Sequence, residues 1–339
     1  MLDRLDIAED LGVVARELPA IESLRAFETA DHPAPAELIE GLLHQGCKAI
    51  LGGTSKSNKS WSLLDMGLSV AGGAPWWGKP SRRGKVAYVN FELPAWAMAN
   101  RISALRSARP EYGGVDDNFF LWNLRGHNTD LTLMRPKLEE VLAPGEFSLV
   151  IMDPAYKVLG GRDENSNGEI AGLMNEMERL TQACGAATLI AHHFAKGDST
   201  LKDPADRMSG AGAWARDPDS IIILTPHEEP DAFTVSTRLR NLPRLEEFVV
   251  RWRYPLMVPD PSLNPDCLRT NAAARKTCTD GEFLLCAMET PGLPSTTIAE
   301  KTAQKFGFST RTALRYLARL IAAGLVENRQ GLHFPATPP

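Results

Sequence analysis

"KAILGGTSKSNKSWSLLDMGLSVAGG" (48–73) decides the fold. It opens with a short apolar run, passes through a polar glycine-containing turn, and continues with helical spacing from Lys59 to about Ala71, closed by Gly72-Gly73. From Gly53 to Ser60 it fits G-x-x-x-x-G-K-[ST], except that Asn58 stands in place of the second glycine. The chemistry asks for this order. Backbone N–H groups at a helix N-terminus cradle phosphates, a lysine neutralises the β/γ charge, and a hydroxyl reaches Mg²⁺. Gly53, Thr54, Ser55, Lys56, Ser57, Asn58, Lys59, Ser60 and Trp61 are therefore the expected nucleotide-binding residues, with Lys59 catalytic and Ser60 on the metal. Asn is the least harmful substitute for the missing glycine, because after Gly it best tolerates left-handed backbone. ATP and Mg²⁺ are the implied ligands.

Outward from this stretch, β-rich runs alternate with helical segments. The runs are 48–51, "KVAYVNF" (85–91), "FFLWNL" (119–124), "SLVIMD" (148–153), "ATLIAHH" (187–193) and "SIIILT" (220–225); amphipathic segments include 131–142 and 169–184. Near-continuous apolar strands separated by helices predict an α/β domain, a mainly parallel sheet sandwiched by helices, over residues 36–260. "FTVSTRLRN" (233–241) and "EEFVVRWRY" (246–254) read as an antiparallel hairpin on its edge.

Strand ends supply further candidates. Asp153 closes an apolar strand, where a carboxylate can order the Mg²⁺ shell. Glu92 ends another and is the candidate general base that orients the attacking water. His192 and His193 end a third; strand alternation lets one face a γ-phosphate and turns the other away. Ligands bind at this carboxyl edge in open α/β sheets.

The flanks read differently. Residues 1–35 alternate apolar and charged residues with helical spacing (Leu11, Val14, Leu18, Ile21, Leu24, Phe27) before "DHPAPAE" breaks the pattern, giving a helical arm and linker. "VPDPSLNPD" (258–266) reads as proline-rich linker, with the linker proper taken as 261–277. Residues 278–335 then predict helices at 280–289, 296–306 and 309–323, a turn at Gly307, and a β-wing in "LVENRQGLHFP", a winged-helix pattern.

With 339 residues, 43% hydrophobic and 23% charged, the chain has the balance of a globular protein with a sizeable core. A net charge of −5 argues against coating nucleic acid through a broad basic surface. Charge is uneven: Leu268–Pro339 holds nine Lys/Arg against five Asp/Glu, so the first 267 residues carry −9. Cys47, Cys184, Cys267, Cys278 and Cys286 show neither CxxC nor zinc spacing. No signal pattern and no apolar run near ~18 residues appear, which predicts a cytoplasmic, reduced protein away from membranes.

Together these residues resemble the RecA-like hexameric helicase ATPases, especially the plasmid and phage RepA-type group, over roughly residues 36–255. "GGTSKSNKSWSLLDMGLSVA" looks like that group's variant phosphate loop, with "KSNK" for "KTGK". Glu92 falls where such enzymes carry the catalytic Glu, and Asp153 where they carry the Mg²⁺ Asp. "HH" before Lys196-Gly197 is similar to their sensor motif. "DRMSGAGAWARDPDSIIIL" (206–224) leads into "RLRNLP" (238–243), similar to the K-x-R-N-G motif of DnaB-type enzymes, though Leu242 replaces the usual Gly. The resemblance implies Arg240 as an arginine finger acting on a neighbour's ATP, with Arg238 its companion and Arg207 in reserve.

It also implies a homo-oligomer, a hexameric ring, translocating single-stranded DNA in replication of a plasmid, phage or mobile element. Polar stretches 157–169 and 195–207 would be pore loops, with Lys157, Arg162, Lys196 and Lys202 on phosphates. Arg311, Arg315 and Arg319 recur at i, i+4, i+8 along the third C-terminal helix, where they suit DNA; a dock for replication proteins is the other reading. A regulatory ATPase that switches assembly without unwinding is the alternative function.

Overall fold

The computed structural model describes residues 20–127, 130–193, 212–268, 280–306 and 310–336, with the side chains of 311 and 312 left aside. The chain divides into two units, 1–36 and 37–339. In the first, helix α1 (Leu24–Thr29) is capped by the Ser23 hydroxyl, which accepts from the Ala26 N–H at 3.2 Å. None of its residues is buried. The helix anticipated through residue 30 is thus six residues long among those described, and residues 1–19 of the arm lie outside them. A short apolar stripe without a surface to cover it gives a helix little beyond its propensity.

The second unit begins with a small hairpin, β1 (Glu37–Ile39) and β2 (Leu43–His44), absent from the sequence reading. There follow β3 (Lys48–Gly53), α2 (Lys59–Gly72), β4 (Lys85–Asn90), α3 (Ala95–Ala108), β5 (Phe119–Asn123), α4 (Leu131–Val141) and β6 (Phe147–Asp153). Next come α5 (Asn167–Cys184), β7 (Ala187–His193), the short α6 (Ala213–Arg216) and β8 (Ser220–Pro226). The strands β9 (Ala232–Leu239), β10 (Phe248–Arg253) and β11 (Leu256–Pro259) complete this part. Nine strands form one sheet, ordered β11-β10-β9-β8-β3-β7-β6-β4-β5. From β8 to β5 the pairing is parallel; β8 to β11 is antiparallel.

Both faces of the parallel part are buried, which is why its strands read as apolar runs. On β3, Ala49 and Leu51 join a core with Leu63, Leu64 and Val70 of α2, whereas Ile50 turns to Leu173, Met177 and Leu180 of α5. This is the RecA-like α/β core that the resemblance implies.

The proline-rich stretch is not free linker. β11 adds an outer edge strand, where the proline at its end withdraws no N–H the sheet needs. Beyond it the chain folds back: the Glu228 N–H donates to the Cys267 carbonyl (2.9 Å), the Thr234 hydroxyl donates to the Pro265 carbonyl (2.9 Å), and His227 Nε2 meets the Asn264 carbonyl (2.9 Å). Residues 261–268, read as linker, therefore pack on the sheet domain.

Near the C-terminus, α7 (Asp280–Ala287), β12 (Leu293–Pro294), α8 (Ser295–Phe306), α9 (Thr310–Ala322), β13 (Val326–Arg329) and β14 (Leu332–Pro335) enclose their own core, which includes Phe283, Ile298, Leu317, Leu320 and Val326. The strands pair antiparallel in the order β12-β14-β13. Gly307, the anticipated turn, lies outside the described residues. Among those described, no helix is long and apolar enough to cross a membrane.

Candidate nucleotide-binding site

The loop from Gly53 to Asn58 links the end of β3 to the start of α2. Asn58 sits at φ +56°, ψ +27°, the left-handed conformation anticipated for the residue replacing glycine, and Lys56 has φ +65°. Asn58 is the N-cap of α2, yet its side chain caps nothing, so the first N–H groups of that helix keep no side-chain acceptor. Gly53 must be glycine for space. A Cβ there would lie 2.8 Å from Ser57 Oγ and 3.2 Å from the Leu224 carbonyl oxygen.

Lys59 is buried and donates to the carbonyls of Gly53 (2.9 Å) and Thr54 (2.8 Å), folding the loop around its ammonium. Burial pushes its pKa down to about 8, against the upward pull of Asp153 and Glu92. Its Nζ also lies 3.1 Å from His193 Nδ1. An ammonium only donates, so Nδ1 accepts and the neutral ring carries its proton on Nε2. Burial, then the Lys59 charge, holds His193 below its ordinary value. His192, one residue earlier, points to the opposite face, where its ring stacks on Trp214 (centroids 4.1 Å apart) and burial pushes it down to about 3. Of the two histidines the pocket receives His193; His192 is a core residue.

Asp153 ends β6 and is buried, accepting a hydrogen bond from the Tyr88 hydroxyl at 2.8 Å. Burial and the adjacent carboxylate push the Tyr88 phenol well above its ordinary pKa, which keeps it a donor. Glu92 stands just past β4 on a turn held by Asn90, whose Oδ1 accepts from the N–H groups of Glu92 (3.2 Å) and Leu93 (2.9 Å). Lys59, Ser60, Glu92, Arg101, Asp153 and His193 line one cavity of about 290 Å³. A larger hollow of about 660 Å³ between α3 and β5 is walled mainly by small and apolar side chains. Charge, not size, distinguishes the site.

Sequence reasoning missed three residues here. Tyr88 and Asn90 lie mid-strand and give no local signal; Arg101 lies on α3. Arg101 packs its guanidinium over the Trp61 ring (4.8 Å to the centroid), in the field of Asp153 and Glu92. Trp61 also meets Trp252 and Tyr254, each at 5.5 Å, so it roofs the loop with an aromatic corner. The donor set suits a Mg²⁺-bound triphosphate: two lysines, an arginine and helix N–H groups for phosphate oxygens, with the Ser60 hydroxyl and Asp153 as hard oxygen ligands.

Other candidates fall elsewhere. Arg240 lies at the far edge of the sheet: its N–H donates to the Asp219 carbonyl, its guanidinium donates to the Arg216 carbonyl, and Asp219 accepts from the Lys48 N–H at the start of β3. The length of β3, roughly 16 Å at ~3.3 Å per residue, separates that edge from the loop. Arg238, on β9, shares a small polar recess with Arg244 and Glu247. Arg162 is committed to Asp130 (2.8 Å), the Thr132 hydroxyl (2.7 Å) and the Leu159 carbonyl (3.2 Å), closing its own turn instead of offering a charge to a strand. Lys157 lies over the Tyr156 ring (5.0 Å). On α9, Arg315 is exposed, whereas Arg319 pairs with Asp280 and stacks on Tyr316 (4.6 Å). Lys196, Lys202, Arg207 and the Arg311 side chain lie outside the described residues.

The AAA_25 family, an AAA domain, matches residues 15–199. No curated protein matches the chain. Among solved structures, a helicase ATPase domain shares 12% identity, with 76% of this chain and 99% of that chain covered at a TM-score of 0.49, a likeness that carries no functional argument. The family match takes in more than half of the chain, including the phosphate loop, both carboxylates and His193, and the chain belongs to the AAA_25 family of AAA domains.

Proposed function

We propose that the chain is an ATP-hydrolysing, ring-forming DNA translocase or helicase serving replication of a plasmid, phage or mobile element. One observation carries this reading: Lys59, Glu92, Asp153 and His193 converge on one cavity, while Arg240 lies at the opposite sheet edge. Lys59 and the loop hold the phosphates, Glu92 orients and deprotonates the attacking water, and His193, already against Lys59, reads the γ-phosphate. Mg²⁺, held by Ser60 and Asp153, supplies charge neutralisation between β- and γ-phosphates when bound. Arg240 can serve such a site only in a neighbouring chain, which favours a ring. Lys157, with Lys196 and Lys202, would contact single-stranded DNA, and the C-terminal helices and strands would act as a winged helix on DNA or a replication protein.

A second reading, a regulatory ATPase that assembles without unwinding, draws on Arg162 and Arg319, whose charges are already paired within the chain. ATP turnover with and without single-stranded DNA separates the two, measured for the wild type and for Arg240→Ala mixed with Lys59→Ala. DNA-stimulated turnover, with partial recovery in the mixture, is the expected result. Absent stimulation, together with full activity of Arg240→Ala, would discard the ring motor.

A further inference from the structure

Strand β4 reaches both carboxylates of the cavity through two side chains on one face. Tyr88 and Asn90 are two residues apart, so strand alternation sends them the same way. In the parallel pairing with β6, Tyr88 is opposite Ile151 and Asn90 is opposite Asp153. The long phenol therefore reaches one pair forward, and its hydroxyl meets Asp153 Oδ2 at 2.8 Å. That bond occupies one oxygen of the carboxylate and leaves the other for the cavity. Tyr88 is wholly buried and its ring packs near Phe119 (6.0 Å), so the hydroxyl has little freedom to leave.

Asn90 does the corresponding work for Glu92. Its Oδ1 accepts from two successive N–H groups, those of Glu92 and Leu93, which fixes the turn just past the strand. Its Nδ2 donates to the Leu93 carbonyl (2.7 Å) and to Asn123 Oδ1 (2.9 Å), the latter on the edge strand β5. All of its polar capacity is spent on that turn. Main-chain bonds brace the same corner: the Phe91 N–H donates to the Asp153 carbonyl (3.0 Å), and the Leu124 N–H donates to the Asn90 carbonyl (2.7 Å).

We propose that Tyr88 and Asn90 are positioning residues with separable duties: Tyr88 aims Asp153 at the metal, and Asn90 aims Glu92 at the attacking water. This rests on the Mg²⁺-ATP reading above. Partners that orient a metal-ligating side chain govern metal affinity, so losing the Tyr88 hydroxyl acts on Mg²⁺ and not on the phosphates held by the loop. A displaced general base, by contrast, leaves substrate bound and slows the chemical step.

The test titrates ATP into the full chain with and without Mg²⁺, by calorimetry, and measures turnover at saturating ATP. In Tyr88→Phe, which keeps the ring and its packing, the Mg²⁺ needed for half-maximal tightening of ATP is expected to rise ~10-fold or more. ATP affinity without Mg²⁺ should match the wild type. In Asn90→Ala, kcat is expected to fall ~10–100-fold with Mg²⁺-ATP affinity retained. Asn90→Ser, whose hydroxyl accepts from a turn N–H more weakly, should recover part of that loss. A wild-type Mg²⁺ dependence in Tyr88→Phe, or an affinity loss in Asn90→Ala and Asn90→Ser as large as the loss in turnover, overturns this inference alone. Wild-type protein whose ATP affinity ignores Mg²⁺ overturns the nucleotide reading itself.

Discussion

Lys59 Nζ and His193 Nδ1 lie 3.1 Å apart, so the phosphate-loop lysine and the strand-end histidine form one hydrogen-bonded unit. Because the lysine is buried and lowered to about 8, a proton is at stake across a measurable pH range. Between about 8 and the ordinary 10.5 the unfolded chain holds a proton that the folded chain lacks. Nucleotide-free stability attributable to this group therefore rises as pH climbs through that window. ATP affinity runs the other way, since phosphate needs the ammonium, and is expected to fall by up to ~tenfold per pH unit above about 8. Thermal melts and ATP titrations from about pH 7 to 10 check both. The lysine's share of the melting rise disappears in Lys59→Met, and a flat ATP affinity across the window would contradict the assignment.

Asn58 occupies left-handed backbone at φ +56°. Asn58→Gly is expected to bind ATP within about threefold of the wild type, because glycine enters that region freely. Asn58→Val should lose ~1–2 kcal/mol of stability and bind ATP more weakly, since a β-branched side chain crowds the carbonyl there. Melting temperature and ATP titration together decide it; equal behaviour of the two variants would remove the backbone argument.

Gly53→Ala puts a methyl group 2.8 Å from Ser57 Oγ and 3.2 Å from the Leu224 carbonyl oxygen. The loop must shift, and ATP affinity is expected to drop ~10-fold or more, by analogy with small displacements in organised sites. Adding Ser57→Ala removes the nearer obstacle and should restore part of the affinity. The Leu224 carbonyl remains, so recovery stays incomplete.

Arg162→Ala should act on stability before it acts on DNA. The Arg162–Asp130 pair is about one-fifth exposed (20% and 22%) and joins the 157–166 turn to the start of α4. A loss of about 1 kcal/mol is expected, similar in Asp130→Asn, and coupled in the double variant. Chemical denaturation measures this, while single-stranded DNA affinity of Arg162→Ala should change less than twofold. A large loss of DNA affinity with unchanged stability would reinstate Arg162 as a strand contact.

Much of the sheet was legible because its strands are buried on both faces and read as apolar runs, and because the loop motif marks the first of them. Less regular parts were not. The β1–β2 hairpin offers two or three residues per strand, too few for a period, and "VPDPSLNPD" carries a linker's composition while 261–268 spend their carbonyls on His227, Glu228 and Thr234. The paired state of Arg162 and Arg319 was equally hidden, since Asp130 and Asp280 are remote in sequence.

By itself the sequence determined the chemistry available: a phosphate loop with Asn58 at its strained position, and acids and histidines at strand ends. Local order suffices for these, because a strand, a turn and a helix start are contiguous in the chain. Tertiary structure alone decided that His193 and not His192 meets Lys59, that Tyr88 grips Asp153 across the β4–β6 pairing, and that Arg240 stands a full strand length from the loop. Strand order and register set those relationships, and they join segments that sequence distance keeps apart.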